Sequence, residues 1–155
     1  MIIIPFIANL YQYAKENNLL AGMIITDLIA FIAFLIFPAG IFFSGDLQMI
    51  IGSLLGVYFS LSHKKQGQSE IVTGLTVGIT GTIFTAISLS FFEWMIYAQN
   101  SPISLFFVII IFFIEAIVIG LAVGILLGFL FARKKRGIIV DKETDEKFFE
   151  SLKER

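Results

Sequence analysis

Between residues 19 and 132 the chain consists of four apolar runs, at about 19–43, 46–62, 71–98 and 103–132. None of them contains a lysine or an arginine. This pattern constrains the fold more than any other feature. A bilayer's hydrocarbon core is about 30 Å thick, and a backbone crossing it must satisfy its own N–H and C=O groups, which a helix does within one segment. At ~1.5 Å per residue, three of the runs are long enough to cross. The second, apolar only over 47–61, must borrow Asp46, Ser62 and His63 or thin the bilayer locally. The expected fold class is an all-α integral membrane protein with four transmembrane helices, an N-terminal interfacial helix and a short cytoplasmic C-terminal helix.

Composition agrees with that class. Hydrophobic residues make up 57% of the chain, with 18 phenylalanines and a mean hydropathy of +0.92, whereas a soluble domain is nearer 45–50% apolar. The turns Ser44-Gly45-Asp46 and Asn100-Ser101-Pro102 are short enough to make consecutive helices antiparallel neighbours. Residues 1–18 turn from apolar to polar. Phe6, Leu10, Tyr13 and Ala14 share one face and Asn9, Gln12 and Glu16 another, as in a helix lying in the interface; the same residues would also suit an extension of the next helix.

Positive charge sets the expected orientation. All eleven Lys and Arg lie in the N-terminal segment (Lys15), in the middle loop (Lys64, Lys65) or after Phe131. Cytoplasmic loops carry the Lys/Arg excess, so four spans with both termini cytoplasmic, in the cell membrane, satisfy the rule throughout. Trp94 and Tyr97 fit an outer aromatic belt. Lys64, Lys65 and the run Arg133, Lys134, Lys135, Arg136 are expected to meet lipid headgroups. Residues 133–155 are then a basic stop and a tail. Gly137 is placed to end the membrane helix, Asp141 or Thr144 to cap a tail helix, and Phe148, Phe149 and Leu152 to form its docking stripe.

Small residues recur at a spacing of four. Gly52 and Gly56 lead into Ser60, Gly74 and Gly78 lead into Thr82 and Ala86, and Ala116, Gly120, Gly124 and Gly128 form a third row. In lipid such rows let backbones approach and gain dispersion contacts. The first two rows predict a tight hairpin of the second and third helices, with Gly22 outside any row.

Three carboxylates fall within the runs: Asp27, Glu93 and Glu115. Intramembrane acids are costly and usually face a bundle interior or water. Glu93 lies near the outer end of its run, within reach of water. Glu115 is the best candidate for a proton or cation site. In one register it sits level with Asp27, and in another it rides up toward Glu93. Residues 114–132, IEAIVIGLAVGILLGFLFA, resemble the second helix of the proteolipid of rotary ATPases. The resemblance covers nineteen low-complexity residues, the first helix lacks the matching glycine row, and the charged tail departs from the pattern. It is therefore read as shared composition.

Several classes are excluded. The chain has no cysteine and one histidine, so thiol chemistry and a histidine metal cluster within one chain are ruled out. Its membrane serines and threonines have no nearby His or Lys with which to form a triad. We expect no enzyme, no cofactor and no nucleic-acid partner. The expected function is a packing or accessory subunit of a homo-oligomer or larger membrane complex; the alternative is an oligomer conducting a proton or cation through its carboxylates.

Overall fold

The computed structural model describes residues 11–36, 46–97 and 102–153, with side chains omitted at 93, 96–97, 102–105 and from 136 onward. Four helices follow one another: α1 (Asn18–Ile36), α2 (Asp46–Ser62), α3 (Glu70–Tyr97) and α4 (Pro102–Lys153). A short helical segment at 11–16 precedes α1. The join is nearly continuous, because Asn17 N–H bonds the Tyr13 carbonyl at 3.0 Å and Ala21 N–H the Asn17 carbonyl at 2.9 Å. Residues 1–10, which carry most of the expected interfacial helix, lie outside the described residues, as does the turn at 44 and 45.

The protein is all-helical over its described residues, and α1, α3 and α4 are long and apolar enough to cross a membrane. α2 has 17 residues and covers about 25 Å at ~1.5 Å per residue, short of the full hydrocarbon thickness.

α2 and α3 touch each other and both outer helices, whereas α1 and α4 make no contact among the described residues. The helices thus form a rhombus, with α1 and α4 at its far corners. One core cluster joins Phe34, Met49, Ala86, Leu89, Phe112 and Ala116; a second joins Val57, Leu61, Val77 and Val123. The outer surface of the bundle is aliphatic and aromatic, including Ile24, Leu28, Phe84, Phe106, Ile114 and Leu126.

The expected α2–α3 glycine hairpin is not what forms. Gly52 and Gly56 face α1: a Cβ on Gly52 would meet the Thr26 carbonyl and lie 2.9 Å from Ala30 Cβ, and one on Gly56 would meet Thr26 Oγ1 and the Gly22 carbonyl. Gly22 is therefore part of the contact. The α1 row is Gly22, Thr26 and Ala30, which has the same spacing of four with only one glycine. Gly74 and Gly78 face α4, where a Cβ on Gly74 would lie 2.5 Å from the Gly124 carbonyl and one on Gly120 2.5 Å from the Gly78 carbonyl. Gly128 closes that row, where a Cβ would lie 2.9 Å from Ile71 Cα. Each inner row thus has a small-residue row of equal length on an outer helix to pack against, so the closest pairs are α1–α2 and α3–α4.

One further point differs from expectation. α4 runs without a break through Gly137 to Lys153, for 52 residues or about 78 Å. One glycine inside a helix costs only about 1 kcal/mol relative to alanine; the Arg and Lys residues of 133–136 before it are good helix formers, and past the weaker Ile138, Ile139 and Val140 the pair Glu143 and Lys147 stands at a favourable i, i+4 spacing. There is accordingly no separate tail helix. The buried hydroxyls also divide their hydrogen bonds. Ser60 Oγ donates across helices to the Asn18 carbonyl at 2.7 Å, Thr82 Oγ1 lies 2.7 Å both from the Ala116 carbonyl across the interface and from the Gly78 carbonyl of its own helix, and Thr26 and Thr85 bond back to their own helices at Gly22 and Gly81.

Candidate functional site

Each carboxylate is placed by the helix that carries it. Asp27 follows Thr26 on α1, so its side chain points toward α3, where Ser88 Oγ donates to Oδ2 at 3.4 Å. Oδ1 is buried with no hydrogen-bond partner among the described residues. Glu115 lies on α4, one position from the row that packs on α3, and faces α2. Because α1 and α4 do not touch, Asp27 and Glu115 do not form a pair. Glu93 lies on α3, and its side chain is outside the described ones.

Glu115 shares a hollow of about 280 Å³ with Asp46, the first residue of α2. The rest of its described lining is Ile50, Ile114, Val118 and Ile119. Ile114 and Val118 are 59% and 61% exposed, which places the hollow on the outer flank of the bundle and not in its interior. Two carboxyl groups set among aliphatic side chains are hard oxygen donors suited to a proton or a cation. A calcium ion takes six to eight oxygens, so the described lining falls short of a complete cation cage. Among the described residues no three His, Asp or Glu side chains gather to hold a metal. Asp46 reads in the sequence as a turn residue. Its place beside Glu115 follows from the α2–α4 contact, which no local spacing reveals.

The opposite end of the bundle carries the basic residues. Residues 63–69 turn through Gly67, whose φ of 89° suits glycine. Lys64 Nζ donates to the Gln68 carbonyl at 2.6 Å and pairs with Glu70 at 3.1 Å; Lys135 Nζ reaches the same carboxylate at 3.6 Å. Glu70 stands one residue ahead of the apolar run that opens at Ile71. Its carboxyl is held below the ordinary carboxylate range by a backbone N–H hydrogen bond and then by Lys64, against the opposing effect of burial. Glu70 is the acid that links the middle loop to α4, and sequence reading passed over it because it looks like an ordinary helix-start residue. Lys65, Arg133 and Lys134 are exposed. The side chains of Arg136, Phe148, Phe149 and Leu152 lie outside the described ones.

Asn18 completes this end. Its Nδ2 donates to the Ser60 carbonyl at 3.2 Å and to Gln68 Oε1 at 3.3 Å, tying α1, α2 and the loop together. No protein-family model, curated protein or solved structure matches the chain.

Proposed function

We propose that this chain is a four-span membrane subunit with both termini cytoplasmic, and that it works by packing against other membrane helices instead of catalysing a reaction. Those helices belong to further copies of itself or to a larger complex. The observation that carries the reading is the hollow holding Asp46 and Glu115 between α2 and α4, open on the flank that meets lipid. Carboxyl groups within the hydrocarbon layer are costly. A helix from a neighbouring chain laid over Ile114 and Val118 would close the hollow over both groups, of which Asp46 Oδ1 and Glu115 Oε2 are already buried. The glycine rows are already covered within the chain, so the contact we propose uses this flank of α4 and not a glycine face. The sorting of Lys and Arg supports the four-span topology and requires α2 to cross despite its length.

A second reading rests on the same hollow: an oligomer that passes a proton or cation between Asp46 and Glu115 of adjacent copies. The mass of the intact species in mild detergent, with co-purifying chains identified, tests both. We expect a multimer or a stable complex, and a monomer without partners would overturn both readings.

A further inference from the structure

Where α1 begins and α2 ends, two cavities of opposite chemistry adjoin. One, of about 450 Å³, is an apolar groove walled by Tyr11, Tyr13, Leu20, Ile24, Ile25 and Phe59. Leu20 and Ile24 are 48% and 56% exposed, so the groove lies on the outer side of the bundle. The other, of about 520 Å³, is polar and lined by Gln12, Lys15, Glu16, His63, Lys64 and Lys65. Tyr11 and Phe59 connect them through His63. The Tyr11 hydroxyl lies 3.0 Å from His63 Nε2, and Phe59 packs on the imidazole with ring centroids 4.4 Å apart. His63 Nδ1 lies 3.0 Å from the Phe59 carbonyl, so a neutral ring donates there and accepts from Tyr11.

We infer that these two cavities together bind one anionic phospholipid, its phosphate in the polar pocket and one acyl chain in the groove. The two halves of a phospholipid match the two linings in chemistry and in order. Charge selects an anionic head over a zwitterionic one, because with Lys64 paired to Glu70 two further lysines still face one glutamate. The lysines are not equivalent. Lys64 is engaged by Glu70 and the Gln68 carbonyl, whereas Lys15 and Lys65 are exposed and form no ion pair among the described residues. These two are the phosphate ligands. Glu16, which accepts from Gln12 Nε2 at 3.3 Å, is the one opposing charge. A basic membrane surface attracts anionic lipid diffusely, but it has no apolar slot next to its lysines. The slot is what gives this site a stoichiometry of one lipid per chain. The inference rests on the chain being embedded in a membrane and not on its being a subunit, so the two readings fail separately.

The test is native mass spectrometry of the full chain released from bilayers of phosphatidylglycerol, phosphatidylethanolamine and phosphatidylcholine with matched acyl chains. We expect one retained phosphatidylglycerol per chain. The Lys15→Gln/Lys65→Gln double variant should lower its preference over phosphatidylcholine about tenfold or more, in line with the attraction of lysines to anionic lipid. Ile24→Trp, which fills the groove, should lose the retained lipid of every class. Lys134→Gln removes a charge that meets headgroups only diffusely at the same end and lines neither cavity, so it should leave the retained lipid and its headgroup preference unchanged. Thermal melts of each variant establish that it is folded, and the exposed lysine changes keep the test open if Ile24→Trp is not. Equal retention of the three lipids, or an effect of Lys134→Gln equal to that of the double variant, would overturn the inference. So would lipid retention that appears only once residues 2–9 are deleted, since the chain's own N-terminus would then be the occupant.

Discussion

Replacing Gly22 by alanine separates the two ways in which the glycine rows might pair. If α2 packed its row on α3, a methyl group at Gly22 would meet nothing and would gain about 1 kcal/mol of helix propensity. In the structure that methyl would meet Ser60 Oγ and lie 2.8 Å from the Gly56 carbonyl and 2.9 Å from Val77 Cγ1. Ser60 cannot turn aside freely, because its hydroxyl donates to the Asn18 carbonyl at 2.7 Å. Two costs follow. Forcing a methyl into a close-packed contact costs about 1–3 kcal/mol, and losing an interhelical hydrogen bond in a membrane costs about 0.6 kcal/mol on average. Set against the propensity gain, the net loss is about 1–3 kcal/mol. At about 2–4 °C per kcal/mol for a chain of this size, melting in mild detergent, followed by circular dichroism, should fall by about 2–12 °C. Ala122→Leu, a larger addition at an exposed position of α4, is the control and should leave melting unchanged. Removing the obstructing hydroxyl should relieve the clash, so Gly22→Ala/Ser60→Ala should be less destabilised than the sum of the single variants by about 1 kcal/mol. A Gly22→Ala protein that melts like wild type, or a double variant that is strictly additive, would refute the α1–α2 pairing.

Three further expectations follow from the same geometry. Single cysteines at positions 44, 66, 100 and 151 should label from opposite sides, 66 and 151 from the cytoplasm and 44 and 100 from outside; labelling of 66 and 100 from one side would defeat the four-span topology. Glu70 has a depressed folded-state pKa, so its stabilising effect is complete above the unfolded value of 4.5 and is lost as pH falls through the lower folded value. Glu70→Gln should therefore lower melting at neutral pH and flatten the acid limb below pH 4.5, and an unchanged acid limb would remove Glu70 from that role. Glu115→Gln keeps the shape of the side chain and should leave the fold intact. If the protein conducts, the variant should abolish dye-reported proton flux into liposomes under an imposed potential, and wild-type flux no greater than that of empty liposomes would end the conduction reading for the isolated protein.

The helical segments were legible in the sequence because hydrophobic length in a membrane is a one-dimensional quantity, counted along the chain. Which helices pair was not. Small-residue rows are interchangeable as packing surfaces, and the row that decided the matter, Gly22, Thr26 and Ala30, contains only one glycine. Thr26 is small enough for close approach because its hydroxyl bonds back to the Gly22 carbonyl at 2.9 Å. The candidate site shared this limit. Glu115 stands out as an acid in an apolar run, but Asp46 looks like part of a turn and joins it only through the α2–α4 contact. Glu70 was hidden in the same way, since its partners Lys64 and Lys135 lie on a loop and on α4. The unbroken α4 has a different cause. A single glycine costs a helix only about 1 kcal/mol, and Gly137 lies between the Arg and Lys residues of 133–136 and a stretch rich in Glu and Lys from 142 onward.

The rhombic arrangement also limits what one copy can do with its acids. Asp27 and Glu115 stand on the two helices that never touch, with α2 and α3 between them. The intervening layer is close-packed: Met49 and Leu89 are fully buried, Gly81 abuts Thr26, and the buried hydroxyls of Thr82 and Thr85 are bonded to backbone carbonyls. A proton or cation passing from Asp27 to Glu115 within one chain would have to displace that layer. A route that uses Glu115 runs instead along the α2–α4 flank, where Asp46 already stands beside it and where the hollow is open. That flank is also where a neighbouring helix would dock. The subunit reading and the conduction reading therefore converge on one surface, and a chain cross-linked to its neighbour through position 118 is the form in which either activity should be sought.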